Sequence, residues 1–289
     1  MKKFLSLFIF LSITLFSRTD IDSILSLNES PQRIIEILNG FAEKNFKNAP
    51  NEALTYLEKS FELLQQINYP SEEARTYLLK GKIIWLKGDN YTSLELIRKS
   101  LSIYEKIKDK KGIAAASVYK SKVQILIGSY NQALESAFQS LGIAEEIKNT
   151  EYLVESLNNL GMIFRAYENF HSAFEYYNRG LEISREGKYT MGEALILNSL
   201  GNIYWFQKKY DEALKKYLLS LELYKKMCTE CEEIAVALNN IGNIYREKKE
   251  YQQALSHYNE SLELSSSLCF LNMQAITRKN LGFTYSLMN

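Results

Sequence analysis

Proline, histidine and cysteine are scarce: the 289-residue sequence holds 3, 2 and 3 of them. The prolines stand at Pro31, Pro50 and Pro70, and none follows. All-β folds need frequent turns and draw on proline and glycine to make them, so this scarcity excludes a sandwich or barrel. Two histidines, His171 and His257, and three cysteines, Cys228, Cys231 and Cys269, leave little from which to build a metal or nucleophilic centre. An excess of either charge is also missing. Lysine plus arginine number 35 against 34 acidic residues, a net charge of +1, so no overall basic field exists to hold nucleic acid or anionic lipid. Apolar residues at 46% and charged residues at 24% are present in ordinary proportion, which points to a folded all-α body.

Long hydrophobic runs are confined to the first residues. Met1-Lys2-Lys3 is followed by an apolar run from Phe4 to Phe16, which Arg18 and Asp20 end. Such a run rises about 20 Å as a helix, short of a hydrocarbon core of about 30 Å, so it does not predict a stable membrane span. The layout is that of a secretory signal peptide over residues 1–19, with Ser17 a small residue for cleavage and Leu15 an unfavourable one two places before it. It places the protein outside the cytoplasm, periplasmic or secreted, or membrane-associated if the segment is retained. Residues 20–32 read as a linker.

The rest is a repeat. Gly81, Ser121, Gly161, Gly201, Gly242 and Gly282 recur at spacings of 40 or 41. At nine residues after each anchor stand Tyr130, Phe170, Tyr210 and Tyr251, and at twelve Ser93, Ala133, Ala173, Ala213 and Ala254. At nineteen come Ser100, Ser140, Gly180, Ser220 and Ser261, each followed by leucine. Each unit carries two apolar patterns of helical period separated by a short break such as Lys208-Lys209 or Lys248-Lys249. The small residues predict close approach of two helices, with the aromatic at plus nine covering the contact.

The segments LNSLGNIYWFQKKYDEALKKYLLSLEL (197–223) and LNNIGNIYREKKEYQQALSHYNESLEL (238–264) resemble tetratricopeptide repeats. They carry that family's L-G-x-x-Y, then Y-x-x-A, then small-residue-leucine pattern. The 40-residue period exceeds the family's usual length and is similar to its regulator and cargo-adaptor branches. The resemblance implies a right-handed superhelical solenoid over residues 33–289, with six helix pairs and a final single helix. The pairs are expected near 33–46/52–67, 71–87/91–107, 111–127/131–147, 151–167/171–187, 190–207/211–226 and 231–247/251–266, with the last helix at 271–287. Stacked side by side, they predict an elongated rod on the order of 60 Å long.

Catalytic motifs do not stand out. No Gly-rich phosphate loop, His-Glu zinc motif or G-x-S-x-G elbow occurs, so neither an enzyme, a cofactor nor a metal is expected. Cys228 and Cys231 lack a second ligand pair for zinc, which leaves unreacted turn residues or a local disulfide. One polar row remains. Positions −6, −3, +1 and +4 from the anchor share one face of the first helix. They hold Asn158, Asn198 and Asn239 at −3, Asn202 and Asn243 at +1, and Arg165, Trp205 and Arg246 at +4. Asparagine is a mediocre helix former, and its carboxamide can donate to and accept from an extended main chain. In the family resembled, this face lines a concave groove, which implies a protein or peptide ligand, with the arginines favouring an acidic one. Duplication alone could equally have copied the asparagines. The corresponding row in earlier units reads Leu78, Lys82 and Trp85, then Val118, Lys122 and Ile125. A non-catalytic interaction scaffold is the leading expectation. The alternative is the extracytoplasmic input region of a bacterial signalling protein of histidine kinase or nucleotide cyclase type. The last helix keeps Leu281, Phe283, Tyr285, Leu287 and Met288, which suits packing on a partner or self-association.

Overall fold

The computed structural model describes residues 21–228, 231–268 and 270–288. The segment 1–19 read as a signal peptide, and Cys269, lie outside the described residues. Regular structure among the described residues is entirely α-helical. A short α1 (Ile21–Leu25) precedes α2 (Pro31–Asn45), α3 (Pro50–Leu64), α4 (Pro70–Leu86), α5 (Asn90–Ile107), α6 (Lys110–Leu126) and α7 (Tyr130–Glu146). Then follow α8 (Thr150–Ala166), α9 (Phe170–Glu186), α10 (Thr190–Phe206), α11 (Tyr210–Met227), α12 (Glu232–Glu247), α13 (Tyr251–Ser267) and α14 (Leu271–Met288). Helices α2 to α13 pack as consecutive antiparallel pairs, and α14 closes the array alone. The segment read as a linker therefore contains α1, whose Ile24 is buried against Ile34 and Leu38.

The few prolines and the many turns have one explanation. Pro31, Pro50 and Pro70 each open a helix, where a missing N–H leaves no bond unmade. Four later helices, α5, α6, α8 and α9, start on side-chain caps instead, as Asp109 accepts from the N–H of Gly112 and Asn169 from that of Ser172. Six helices stop on a single left-handed residue that is not glycine. Lys108, Lys148, Glu168, Lys188, Lys208 and Lys249 all have positive φ. Lys209 then donates its N–H to the Tyr204 carbonyl, and Glu250 to that of Tyr245, which satisfies the last turn without proline or glycine.

Within a pair, size complementarity is strict. A Cβ added to Gly161, Gly201 or Gly242 would meet the ring of Tyr177, Tyr217 or Tyr258 at 2.3, 2.5 and 2.6 Å. That tyrosine stands sixteen residues after the anchor on the second helix. Where the anchor is Ser121, the same place holds Ala137. The aromatic at plus nine, expected to cover the contact, instead opens the second helix and stays partly exposed. A second device joins the helices of a pair: Ser100, Ser140, Ser220 and Ser261 donate to the carbonyls of Ala74, Ala114, Ala194 and Ala235 at 2.7–3.0 Å. Each bond satisfies a buried hydroxyl inside the interface.

The array is not an open rod. Lys47, in the turn after α2, reaches the start of α12, with its Nζ 2.7 Å from Glu233 and 3.2 Å from Glu232. Asn272 at the start of α14 donates to the Trp85 carbonyl at the end of α4 (3.2 Å), and the Trp85 and Phe270 rings lie 6.2 Å apart. Lower ends of early helices thus meet upper ends of late ones, as in a superhelix that has turned once and touches itself.

Candidate functional site

First helices of successive units pack directly on one another along α2, α4, α6, α8, α10, α12 and α14, whereas second helices are bridged by long side chains, as Arg179 to Glu145 and Lys225 to Glu260. Units are therefore closest on the first-helix side, and the first helices form the inner wall of the turn. This is the wall that carries the polar row.

In its C-terminal half the asparagines form a ladder between units. Ser199 donates to Asn158 Oδ1 at 2.7 Å, Asn240 to Asn198 Oδ1 at 3.1 Å, and Asn280 to Asn239 Oδ1 at 2.9 Å. Each bond ties one first helix to the next. Asn158, Asn198 and Asn239 are only 5%, 8% and 3% exposed, so this bonding is a scaffold duty. Asn202 and Asn243 are held within their own units, accepting from the hydroxyls of Tyr217 and Tyr258, both at 2.8 Å. The carbonyl oxygens are spent. The amide nitrogens of Asn198, Asn202, Asn239 and Asn243 have no protein partner among the described residues; Asn202 and Asn243 are partly exposed, Asn198 and Asn239 buried. Asn158 differs, because its nitrogen faces the Met162 sulfur at 3.5 Å.

Both arginines of the row stack on aromatic rings. Arg165 lies over the Phe206 ring at 5.0 Å and Arg246 over Phe283 at 5.2 Å. Arg246 also pairs with Glu247 at 3.1 Å, so half the charge meant for an acidic ligand is already answered. Trp205 packs edge-on against Phe206, with its indole N–H buried and unpartnered.

The N-terminal half of the wall is charged. Leu78 and Val118 are buried, while Lys82 Nζ lies 4.2 Å over the Tyr119 ring and Lys122 Nζ 4.2 Å over Trp85. Neither lysine makes an ion pair with a described carboxylate. Burial lowers the Lys82 pKa, which Glu155 only partly offsets. Burial likewise raises the Glu155 carboxyl, against the pull of Lys122. At the closure, burial raises the Glu232 carboxyl; burial pushes Glu233 the same way, but the charge and hydrogen bond of Lys47, with a backbone hydrogen bond and Lys122, together bring it below its ordinary value. Tyr119, Tyr152 and Tyr189 face the same carboxylates, and burial together with those charges raises their phenols. Glu155 stands at −6 in the polar row and was within reach of sequence reasoning. Lys47, Glu232 and Glu233 were not, because only closure of the turn joins them.

Cys228 and Cys231 form a disulfide in the turn before α12. Of the two readings left open, unreacted turn residues are therefore set aside. No group of three metal-ligating side chains occurs among the described residues, and no described helix is long and apolar enough to cross a membrane.

Sequence comparison matches the tetratricopeptide repeat signature to residues 152–226, 192–267 and 233–289. Residues 152–289 are tetratricopeptide repeats. Earlier units continue the same helix pairing in the structure. No curated protein matches the sequence significantly. Among solved structures, NprR in complex with its cognate peptide NprX superposes with a TM-score of 0.72 at 13% identity, over 92% of this chain and 76% of that one. A Rap protein complexed with competence and sporulation factor gives 0.64 at 15% identity, over 92% and 79%. The apo form of RapI gives 0.59 at 15% identity, over 86% and 98%. At these identities the likeness is one of fold.

Proposed function

We propose that this tetratricopeptide array is a non-catalytic interaction scaffold that holds an extended peptide or protein segment along its inner wall. The observation that carries the reading is the pair of partly exposed carboxamides, Asn202 and Asn243, whose oxygens are bonded and whose nitrogens are not, repeated from one unit to the next. With their oxygens committed to the fold, these groups act as fixed donors toward ligand carbonyls, each contributing about 0.5–1.5 kcal/mol. NprR and the Rap protein, of the same fold, are described in complex with the cognate peptide NprX and with competence and sporulation factor, which supports such a ligand class.

The test is Asn202→Asp together with Asn243→Asp. Aspartate keeps the oxygen that receives the Tyr217 and Tyr258 hydroxyls but replaces the free donor by an acceptor. For a peptide selected from a random display library, affinity should drop ~10-fold or more, the equivalent of 1.4 kcal/mol, with the melting temperature nearly unchanged. Unchanged affinity would remove the donors from the binding reading.

Export is part of the same proposal. It rests on the layout of residues 1–19, and the Cys228–Cys231 disulfide suits an oxidising compartment. Amino-terminal sequencing of protein from an exporting cell should begin just after Ser17; intact Met1-containing protein in the cytosol would count against it.

A further inference from the structure

The point where the superhelix touches itself already holds an ammonium group. Lys47 Nζ lies between the carboxylates of Glu232 and Glu233, at 3.2 and 2.7 Å, from 185 and 186 positions away in the chain. One cation serves two carboxylates. Each keeps a second oxygen, Glu232 Oε2 and Glu233 Oε2, that is buried and accepts no hydrogen bond. Glu232 as a residue is 8% exposed, so water does not readily supply the missing donor. Glu155 faces the same interior from α8 and makes no ion pair with a described residue. The lysines that share the space, Lys82 and Lys122, place their ammonium groups over the rings of Tyr119 and Trp85 rather than on a carboxylate. A buried acceptor oxygen without a donor is costly, and a carboxylate more so. Two carboxylate oxygens of this interior thus stand without a donor.

We propose that the interior of the turn, where the end of α2 meets the start of α12 and Glu155 of α8 feels the same charges, is a receptor for a basic group of the bound segment: a lysine or arginine side chain, or a free amino terminus. The second oxygens of Glu232 and Glu233, with Glu155, receive its N–H groups, and Tyr119 and Tyr189 border the seat. Lys47 is the built-in example of what the site holds. This rests on the groove reading above and adds to it the chemistry of one ligand position. It also reverses the acidic preference expected from Arg165 and Arg246. Charge-assisted bonds of this kind are about twice as strong as neutral ones, so the seat would dominate the choice of ligand.

The experiment uses the full chain and two pools of short random peptides, one with a fixed arginine and one with a fixed aspartate, read by fluorescence anisotropy. The arginine pool should bind ~10-fold more tightly, a difference of 1.4 kcal/mol. In Glu155→Gln/Glu232→Gln, which keeps side-chain shape, the preference should disappear. Equal binding by wild type, or preference for the aspartate pool, overturns the basic seat and leaves the groove reading standing. Binding of neither pool removes both. A second variant guards against misfolding of the first: Lys47→Met empties the built-in ammonium while leaving every carboxylate in place. It should increase the arginine preference further, and an unchanged or smaller preference overturns the proposal.

Discussion

The two halves of the inner wall use the same helix positions for opposite chemistry. At +1 from the anchor the later units place Asn202 and Asn243, whose oxygens are fixed by tyrosine hydroxyls of their own unit. The earlier units place Lys82 and Lys122 there, over aromatic rings and without ion pairs. Behind the wall the difference continues: glycine against tyrosine in the later units, Ser121 against Ala137 in an earlier one. The C-terminal half is held by short neutral bonds between adjacent units. The N-terminal half is held in part by charges that arrive from the far end of the chain. A repeat array can thus keep one backbone rule while dividing its inner surface into a regular donor ladder and an irregular ionic seat.

The largest way to break this comparison is at the anchor. Gly201→Val would drive a branched side chain into the Tyr217 ring, which already lies 2.5 Å from an added Cβ, and should cost about 3 kcal/mol. Ser121→Ala should cost only about 1 kcal/mol, the worth of its 2.9 Å bond to the Ala133 carbonyl. Gly282→Ala, with nothing within 4 Å, should be neutral or stabilising by up to ~1 kcal/mol through helix propensity. Thermal or urea unfolding of the three variants would decide, and equal losses would mean that the glycines are not contact residues.

A middle-sized effect concerns the closure. Lys47→Met leaves two buried carboxylates without their ammonium. Because the lysine side chain is 31% exposed, the loss should be about 2 kcal/mol rather than the ~3–5 of a fully buried pair. Hydrogen exchange should rise in α2 and at the start of α12 while the asparagine ladder of α8 and α10 stays protected. A uniform rise would show that closure and ladder unfold as one.

The smallest effect is one of pH. Burial raises the Glu155 carboxyl above its ordinary range, with Lys122, Lys82, Lys47 and Glu151 around it. A raised carboxyl favours the protonated fold, so its stabilisation is present in acid and is lost as pH rises through that range. Glu155→Gln should therefore melt slightly higher than wild type at neutral pH and equally in acid. A lower melting temperature at neutral pH would mean that Glu155 is stabilised by the lysines instead.

Fold class was legible because helical period and repeat period are both local counts. The glycine anchors could be found by spacing, yet their partner was misplaced. The aromatic at plus nine looked suitable in sequence, but on a second helix it is the residue at plus sixteen that faces the anchor. The asparagine row was equally visible. Spacing put the five side chains on one face, whereas the split between a spent oxygen and a free nitrogen depends on residues 15 to 42 positions away. The disulfide stayed ambiguous because a three-residue spacing permits the bond without requiring it.

Repetition at 40 residues and the small-residue anchors determined by themselves that this chain stacks helix pairs into a tetratricopeptide-like solenoid. Whether the stack runs on as a rod or returns to meet itself was decided only in three dimensions. Curvature accumulates from small rotations between units, each set by packing at one interface, and no single repeat encodes the sum. That sum is what brings Lys47 to Glu232 and Glu233 and turns scattered surface charges into one interior site.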